Sequence, residues 1–467
     1  MSPSALPQSD TSSPLPPQDG VPKPQRYWAI LAVAVSTGMA VMDSSIVNVA
    51  LPVIADNLNV SASESVWVVN AYLIAVATTL LPLSALGDIV GYRRVYLAGL
   101  ALFTVFSLVC TFSDSLPMLA AARFFQGLGA AGIMSVNAAL IRFIYPTRKL
   151  GKGIGISAMV VAFSTGIGPT VAAGILSVGD WPWLFAVNIP LGCVAFFLAA
   201  RSLPFTPRAS HRFDFLSAVL NVLGIGLLVT AIDGLSHGVY WPWSLSQIAL
   251  AATVLWLLVR RQLNRSSPLL PVDLLRSRPF ALAVCTSMCA FASQITAFIV
   301  LPFYLHDTLG YSPVQTGLLM TPWPAAVVVA APIAGRLSDR YPVGALCALG
   351  LSLKLIGLLL IAALPAQPSL AALLPCMALC GLGFGFFQAP NNRAIIGAAP
   401  RHRSGGAAGM QGTARLLGQS TGAALTALAF ALTGGGIVAP LLMAAGFDAL
   451  AVLVSLSRLR KRPDPAV

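Results

Sequence analysis

The sequence predicts an all-helical protein that crosses a membrane many times, and three observations carry that expectation. Hydrophobic residues fill 57% of the 467 positions and charged residues only 9%, against about 25% charged in an ordinary soluble domain. The apolar residues gather in long windows, giving a mean hydropathy of +0.82. The basic residues fall at alternate breaks between those windows. At ~20 residues per crossing plus a short loop, the chain holds roughly 12 to 15 spans.

The elements follow in order. Residues 1–25 are rich in Ser, Pro and Gln, lack an apolar core and carry a single Lys at position 23, which predicts a disordered tail and not a cleaved signal peptide. Fourteen apolar windows follow, at 28–50, 65–86, 95–112, 116–141, 153–177, 183–203, 215–233, 244–260, 280–304, 314–334, 343–364, 368–390, 405–431 and 437–457.

Charge sets the orientation. Three of the 28 basic residues, Arg123, Lys354 and Arg415, lie in the interior of spans, and the other 25 (28 less 3) belong to the tails, to the even-to-odd connections or to the span ends that adjoin them. The odd-to-even connections hold acids instead: Asp56, Glu64, Asp114, Asp180, Asp233 and Asp307. The positive-inside rule then puts both termini in the cytoplasm, in a cytoplasmic (inner) membrane. The net charge of +13 faces anionic headgroups, which removes the motive for nucleic-acid binding. Seven cysteines sit inside apolar runs; the pairs Cys285/Cys289 and Cys376/Cys380 are helix neighbours without accompanying histidines. They predict neither a disulfide framework nor a zinc site, and no metal or cofactor is expected.

Loop chemistry repeats between the two halves. Ser84-Ala-Leu-Gly-Asp88-Ile-Val-Gly91-Tyr-Arg93-Arg94 joins spans two and three, and Gly335-Arg-Leu-Ser-Asp339-Arg340-Tyr-Pro joins spans ten and eleven. Each puts an Asp at a cytoplasmic helix end with a basic residue a few positions on, suited to a charge relay between helix ends. The repeat makes two related halves with spans seven and eight inserted between them.

Further motifs occur in order: Asp43-Ser-Ser-Ile-Val-Asn48-Val-Ala-Leu-Pro52, Trp67-Val-Val-Asn70-Ala-Tyr72, Arg123-Phe-Phe-Gln126-Gly127-Leu-Gly129, Gly168-Pro169 with Gly174, and Trp181-Pro-Trp183 through Asn188-Ile-Pro190. With these the chain resembles the major facilitator superfamily, and within it the fourteen-span drug:proton antiporters. The chain departs from the family pattern at Ser84, where Gly is usual, at Ile89, where a basic residue is common, and at Ala172 and Ala173, where a Gly pair is usual. The resemblance implies two six-helix bundles plus two inserted helices around a cavity that opens alternately to each side, driven by proton entry. The expected divisions are a tail at 1–26, a first bundle at 27–203, an insert at 204–278, a second bundle at 279–457 and a basic tail at 458–467.

Few residues can carry chemistry. Asp43 is an ionisable group inside an apolar span, where an unpaired charge costs several kcal/mol, so it needs a partner. Counting ~1.5 Å per residue puts Arg123 at the same depth. Two readings stand: a purely structural ion pair, or a proton carrier, Asp43, modulated by Arg123 and steadied by Gln126, whose carboxylate takes a proton when the contact is disturbed. Gly168-Pro169 removes a backbone hydrogen bond and permits a bend, and in the family it resembles an exporter motif. With Asp88, Gly91, Arg93, Arg94, Asp339 and Arg340 it forms the expected gating set. Gly127-Leu-Gly-Ala-Ala-Gly132 matches a dinucleotide fingerprint formally, but no strand precedes it, so close helix packing is expected. Asn391, Asn392 and Arg393 are expected to end span twelve.

Gln411, Arg415 and Gln419 recur at i, i+4, i+8 along span thirteen, a stripe suited to lining a cavity. Asn48, Trp67, Asn70, Tyr72, Phe298 and Phe387, with Phe384 and Phe386, are the remaining cavity candidates. His211, His237, His306 and His402 lie in loops or at span ends, which leaves carboxylates to carry protons. Lys354 and Asp448 come to similar depth near the bilayer midplane by the same counting. The resemblance sets their spans at the back of the second bundle, so a direct, structural ion pair is expected; otherwise Asp448 is a second proton or substrate site.

The absence of a nucleotide P-loop or a His-Glu-x-x-His motif argues against an enzyme or an ATP-driven pump. The expectation is a monomeric, proton-coupled exporter of small lipophilic or cationic drugs, with a transporter of one particular metabolite as the alternative and a membrane sensor as a remote third.

Overall fold

Each apolar window folds as a membrane-length helical span in the computed structural model, which describes residues 20–206, 208, 213–236, 241–263, 272–365, 367–398 and 404–459. In order the spans are Gln25–Leu58, Ala62–Val90, Tyr92–Thr111, Leu116–Ile144, Gly155–Leu176, Trp183–Ser202, Phe215–Ile232, Pro242–Leu263, Arg278–Thr308, Pro313–Leu337, Val343–Ala362, Leu370–Gly397, Gly409–Thr433 and Val438–Ser457. No strand occurs among the described residues. His211, His237 and His402, and most of both tails, lie outside them.

Several helices overrun their apolar windows. Span one continues through Pro52 to Leu58 and stops at Asn59, which adopts the left-handed conformation at φ 54°. Span twelve continues past Pro390 to Gly397, so Asn391, Asn392 and Arg393 lie within the helix and do not end it. Hydropathy marks where lipid-compatible side chains run out, whereas a helix persists while its backbone hydrogen bonds can close. Residues 20–26, expected in the tail, are anchored at two points: Val21 is buried and its amide donates to the Ile144 carbonyl at 3.1 Å, and Gln25 Nε2 donates to the Ser202 carbonyl at 3.1 Å, while Pro22, Lys23 and Pro24 between them are exposed. Val21 thus docks at the end of span four and Gln25 at the end of span six.

The packing of the first six spans recurs eight spans later. Span one packs on five and six, and nine on thirteen and fourteen; two on four, and ten on twelve; three on four and six, and eleven on twelve and fourteen. Small residues bring matching pairs close. A Cβ on Gly132 would lie 2.9 Å from the Gly99 Cα between spans three and four, and one on Gly383 would lie 2.5 Å from the Lys354 amide nitrogen between spans eleven and twelve. Gly127, Gly129 and Gly132 thus serve helix packing.

Spans seven and eight form a hairpin clasped at one end by Arg261 Nη2 on Asp214 Oδ1 at 3.0 Å. Partial burial raises the Asp214 carboxyl pKa, but hydrogen bonds from Ser217 and Arg261 outweigh it and hold the group below its ordinary value. Span seven lies against both spans two and thirteen, and Asn221 Nδ2 donates to the Thr78 carbonyl at 2.6 Å. The insert therefore braces the seam between the two bundles.

Candidate functional site

A buried carboxylate cluster occupies the centre of the first bundle. Asp43 of span one meets Arg123 of span four, with Nη1 to Oδ2 at 2.5 Å, and both side chains are at most 1% exposed. Gln126 Nε2 donates to Asp43 Oδ1 at 3.1 Å, and Asn188 Nδ2 of span six donates to the same oxygen at 2.7 Å. Arg123 Nη1 also donates to Gln126 Oε1 at 2.6 Å, while its Nε donates to the Val68 carbonyl of span two at 3.1 Å. The guanidinium is therefore shared among three acceptors on three elements and does not grip the carboxylate with two parallel bonds. Gln126 is held in turn by Ser107 of span three, whose Oγ accepts from Nε2 at 2.8 Å. The three groups that touch Asp43 are all donors, which suits the ionised carboxylate. Tyr72 covers the other side, its ring 4.3 Å from the Arg123 Cζ, and donates its hydroxyl to the Ala40 carbonyl at 3.1 Å.

The second bundle holds another charged pair. Lys354 Nζ of span eleven lies 3.2 Å from Asp448 Oδ1 of span fourteen, and both side chains are fully buried. Ser293 of span nine accepts from Lys354 at 2.9 Å and donates to Asp448 Oδ2 at 2.8 Å; the Ala290 carbonyl accepts from Lys354 at 3.2 Å. Phe384 covers the ammonium at 5.5 Å. Both mid-membrane acids named from the sequence are thus engaged inside their own bundles.

Between the bundles, contact is tight at the end that carries the acidic loops. Ser63 Oγ donates to the Ala427 carbonyl at 2.9 Å, Thr170 and Thr321 hydroxyls meet at 3.0 Å, and a Cβ on Gly317 would lie 2.6 Å from the Pro169 carbonyl. His306 Nε2 lies 3.4 Å from Asp56 Oδ2. Along spans five and ten the contact ends near Gly166, which faces Pro324 and Val328. Gly155 lies three turns back on the same face and Gly335 two turns on from Val328. A Cβ at either would meet open space, and Met159 between them on span five is exposed. The molecule is closed at its acidic end and open, between spans five and ten, at its basic end.

The expected cavity residues divide. Asn48, Asn70 and Tyr72 are buried, and Gln411, Arg415 and Gln419 are half-buried on span thirteen. Asn48 Oδ1, both amide atoms of Asn70, and Arg415 Nε are buried without hydrogen-bond partners. Phe298 packs edge-on against Trp323 at 5.3 Å. Phe387, with Phe384, packs on Phe291, Leu351 and Ala451 inside the second bundle and lines nothing between the bundles. Trp67 packs against a cluster formed by Ile74, Ala424 of span thirteen, and Ile225 and Val229 of the insert. Aromatic size alone does not specify a helix face.

The expected gating set is likewise split. Asp88 accepts from the Tyr92 hydroxyl, Arg93 donates to the Ala200 carbonyl and lies over Phe205 at 4.2 Å, and Arg94 is exposed. Gly91, at φ 105°, makes the turn that permits this. Asp339 pairs with Arg393 of span twelve instead of the adjacent Arg340, which is exposed. Gly168 packs so closely on Ser45 that a Cβ there would overlap it. Sequence reasoning missed Asn188 and Ser107 as partners of the carboxylate cluster. Asn188 stood in a quoted motif, but a neutral polar residue carries no depth penalty large enough to mark it, and Ser107 carried no signal.

Comparison with known proteins adds family membership. The family model described as Major Facilitator Superfamily matches residues 33–423. The chain is 53% identical over 414 residues to the uncharacterized transporter YebQ of Escherichia coli, covering 88% of this chain and 90% of that one. It is 30% identical to the riboflavin transporter RibZ of Clostridioides difficile, covering 87% and 89%, and 31% identical to the multidrug resistance protein Stp of Mycobacterium tuberculosis, covering 85% and 74%. Among solved structures it superposes on an inward-facing bacterial homolog of the human lysosomal transporter Spinster at a TM-score of 0.67, with 14% identity, 96% of this chain and 100% of that one covered. It also superposes on a POT family transporter at 0.71, with 15% identity, covering 92% and 95%. With two mirrored six-helix bundles, two inserted spans and this match across the chain, the protein belongs to the major facilitator superfamily and is an integral membrane transporter.

Proposed function

We propose that this transporter is a proton-coupled exporter of small lipophilic molecules in the cytoplasmic membrane, with both termini and the basic loops in the cytoplasm. The observation that carries the reading is Asp43, a fully buried carboxylate held by three donors from spans four and six. Burial of an ionisable group at that depth is costly and marks a proton path. In the inward-open arrangement the donors favour the carboxylate. Reversal of the cleft shifts spans four and six against span one, loosens at least one donor, and makes protonation favourable. Arg123 modulates that step, and Gln126 and Asn188 set its geometry. The Lys354–Asp448 pair is a structural tie in the second bundle, and the Gly168–Pro169 segment, packed on Ser45 and Gly317, is where the outer seal opens and closes. Resistance proteins such as Stp among the relatives favour export.

The test is accumulation of a lipophilic fluorescent dye in an exporter-deficient strain. Expression lowers accumulation, a protonophore abolishes the effect, and Asp43→Asn, which keeps the shape but cannot exchange a proton, inserts normally and leaves accumulation high. Undiminished energy-dependent efflux by Asp43→Asn rejects Asp43 as the carrier. The riboflavin transporter among the relatives supports a second reading, transport of one flat metabolite; riboflavin flux in vesicles without any dye efflux selects it.

A further inference from the structure

We propose that the seam between spans two and thirteen binds small molecules bearing a negative charge, with Arg415 as the counter-charge. The inference rests on the reading of this chain as a small-molecule transporter and names the class of its substrate.

Three basic residues, Arg123, Lys354 and Arg415, lie deep within the spans, away from their ends. Arg123 meets Asp43 and Lys354 meets Asp448, each pair enclosed in its own bundle. Arg415 is the third, and among the described residues it has neither an ion pair nor a hydrogen bond. An uncompensated guanidinium at that depth is expensive, so a residue that keeps one holds it for a ligand or a water-filled space.

Its surroundings say which. Tyr72 of the opposite bundle lies near it, and the Tyr72 hydroxyl proton is already given to the Ala40 carbonyl. Its own helix presents Gln411 and Gln419, which are neutral. The carboxylates at this depth, Asp43 and Asp448, are each engaged elsewhere, and the remaining described acids lie at span ends or in loops.

The antiparallel register puts further unpartnered polar atoms nearby. Gly409 approaches Leu81, Gly412 approaches Leu80, and Ser63 bonds to Ala427. Between those contacts Asn70 comes level with Ser420. Asn70 shares a helix face with Ser63, Trp67, Ile74 and Leu81, the face turned to span thirteen. Asn70 is fully buried with neither amide atom bonded, and Ser420 Oγ is buried and unbonded. Buried polar groups of this kind are normally satisfied, so these donors and acceptors are available to a ligand and its waters. The local field is positive, with neutral hydrogen-bonding partners around it. A cationic cargo finds no acid here, whereas a carboxylate or similar anion finds a guanidinium fork.

The test uses full-length protein in nanodiscs and two probes sharing one ring system, 1-naphthoate and 1-naphthylmethylammonium, with the concentration dependence of the thermal shift as readout. The expected result is naphthoate binding about tenfold or more tighter than the ammonium, as one charge-assisted hydrogen bond provides. Arg415→Gln removes that preference without lowering the unliganded melting temperature, because it deletes a half-buried charge that has no partner in the unliganded protein; Arg415→Lys keeps part of the preference. Equal affinity, tighter binding of the ammonium, no naphthoate binding, or a preference that survives Arg415→Gln each overturns the proposal. Binding does not depend on export: loss of dye efflux with the naphthoate preference intact rejects the export reading alone, and efflux without the preference rejects this one alone.

Discussion

Replacing Lys354 by Met removes an ammonium that donates to Asp448, Ser293 and the Ala290 carbonyl. Asp448 then keeps a single partner, the Ser293 hydroxyl at 2.8 Å, in a site with no exposure. Replacing Asp448 by Leu leaves the ammonium with two neutral oxygens under the Phe384 ring. Breaking one side of a buried pair costs about 3 to 5 kcal/mol, and a lone charge at the centre of a membrane helix costs about 2.5 to 3.5 kcal/mol on insertion scales. Each single change should therefore lower the melting temperature and the yield of folded protein markedly. The double change Lys354→Met with Asp448→Leu replaces the pair by apolar groups beneath the Phe384 ring, and such exchanges are often nearly neutral. The assay is the thermal transition of detergent-solubilised protein, followed by size-exclusion chromatography for the wild type, both singles and the double. A double mutant close to wild type yields a coupling of about 3 kcal/mol or more, as expected for partners in contact. A double mutant no more stable than the worse single would refute the structural role and return Asp448 to consideration as a proton or substrate site.

Three further outcomes follow from the same contacts. Arg123→Lys keeps the charge but cannot reach Asp43, Gln126 and the Val68 carbonyl together, so the initial rate of proton-driven efflux should fall about tenfold or more with the melting temperature little changed; full activity would mean that charge alone matters. Gly383→Ala forces spans eleven and twelve apart at Lys354 and Gly350 and should cost about 1 to 3 kcal/mol in thermal stability, whereas the same change at Gly446, which faces open space, should cost little. Gly317→Leu wedges the acidic end open against Pro169 and should reduce alkylation of a single cysteine placed at Met159, in the cleft that is open at the basic end; unchanged alkylation would show that this contact does not hold the seal.

The charged pairs were legible in the sequence because ionisable residues are rare in the spans and depth can be counted at a fixed rise per residue. That arithmetic joined Asp43 to Arg123 and Lys354 to Asp448, and the side chains meet in both cases. The fourteen spans were legible for a similar reason, since hydrocarbon excludes charge over a known thickness. Helix faces were not. Trp67 and Phe387 read as cavity aromatics, yet each packs within helix contacts that depend on rotation about the helix axis, which a residue's type does not encode. Helix ends escaped as well, because Leu58 and Gly397 lie beyond the apolar windows where only backbone bonding decides. Asn188 was visible as a motif letter and not as a partner of Asp43, since that contact needs the crossing of spans one and six.

The central claim is that a proton bound at Asp43 is exchanged for substrate. The most direct measurement is proton movement out of proteoliposomes, read with an entrapped pH-sensitive dye as a transported compound added outside enters in exchange, for wild type and for Asp43→Asn reconstituted at equal density. Substrate-dependent proton flux in the wild type and none in Asp43→Asn is the predicted result. Equal flux in the two, or substrate transport by the wild type with no proton movement, contradicts it.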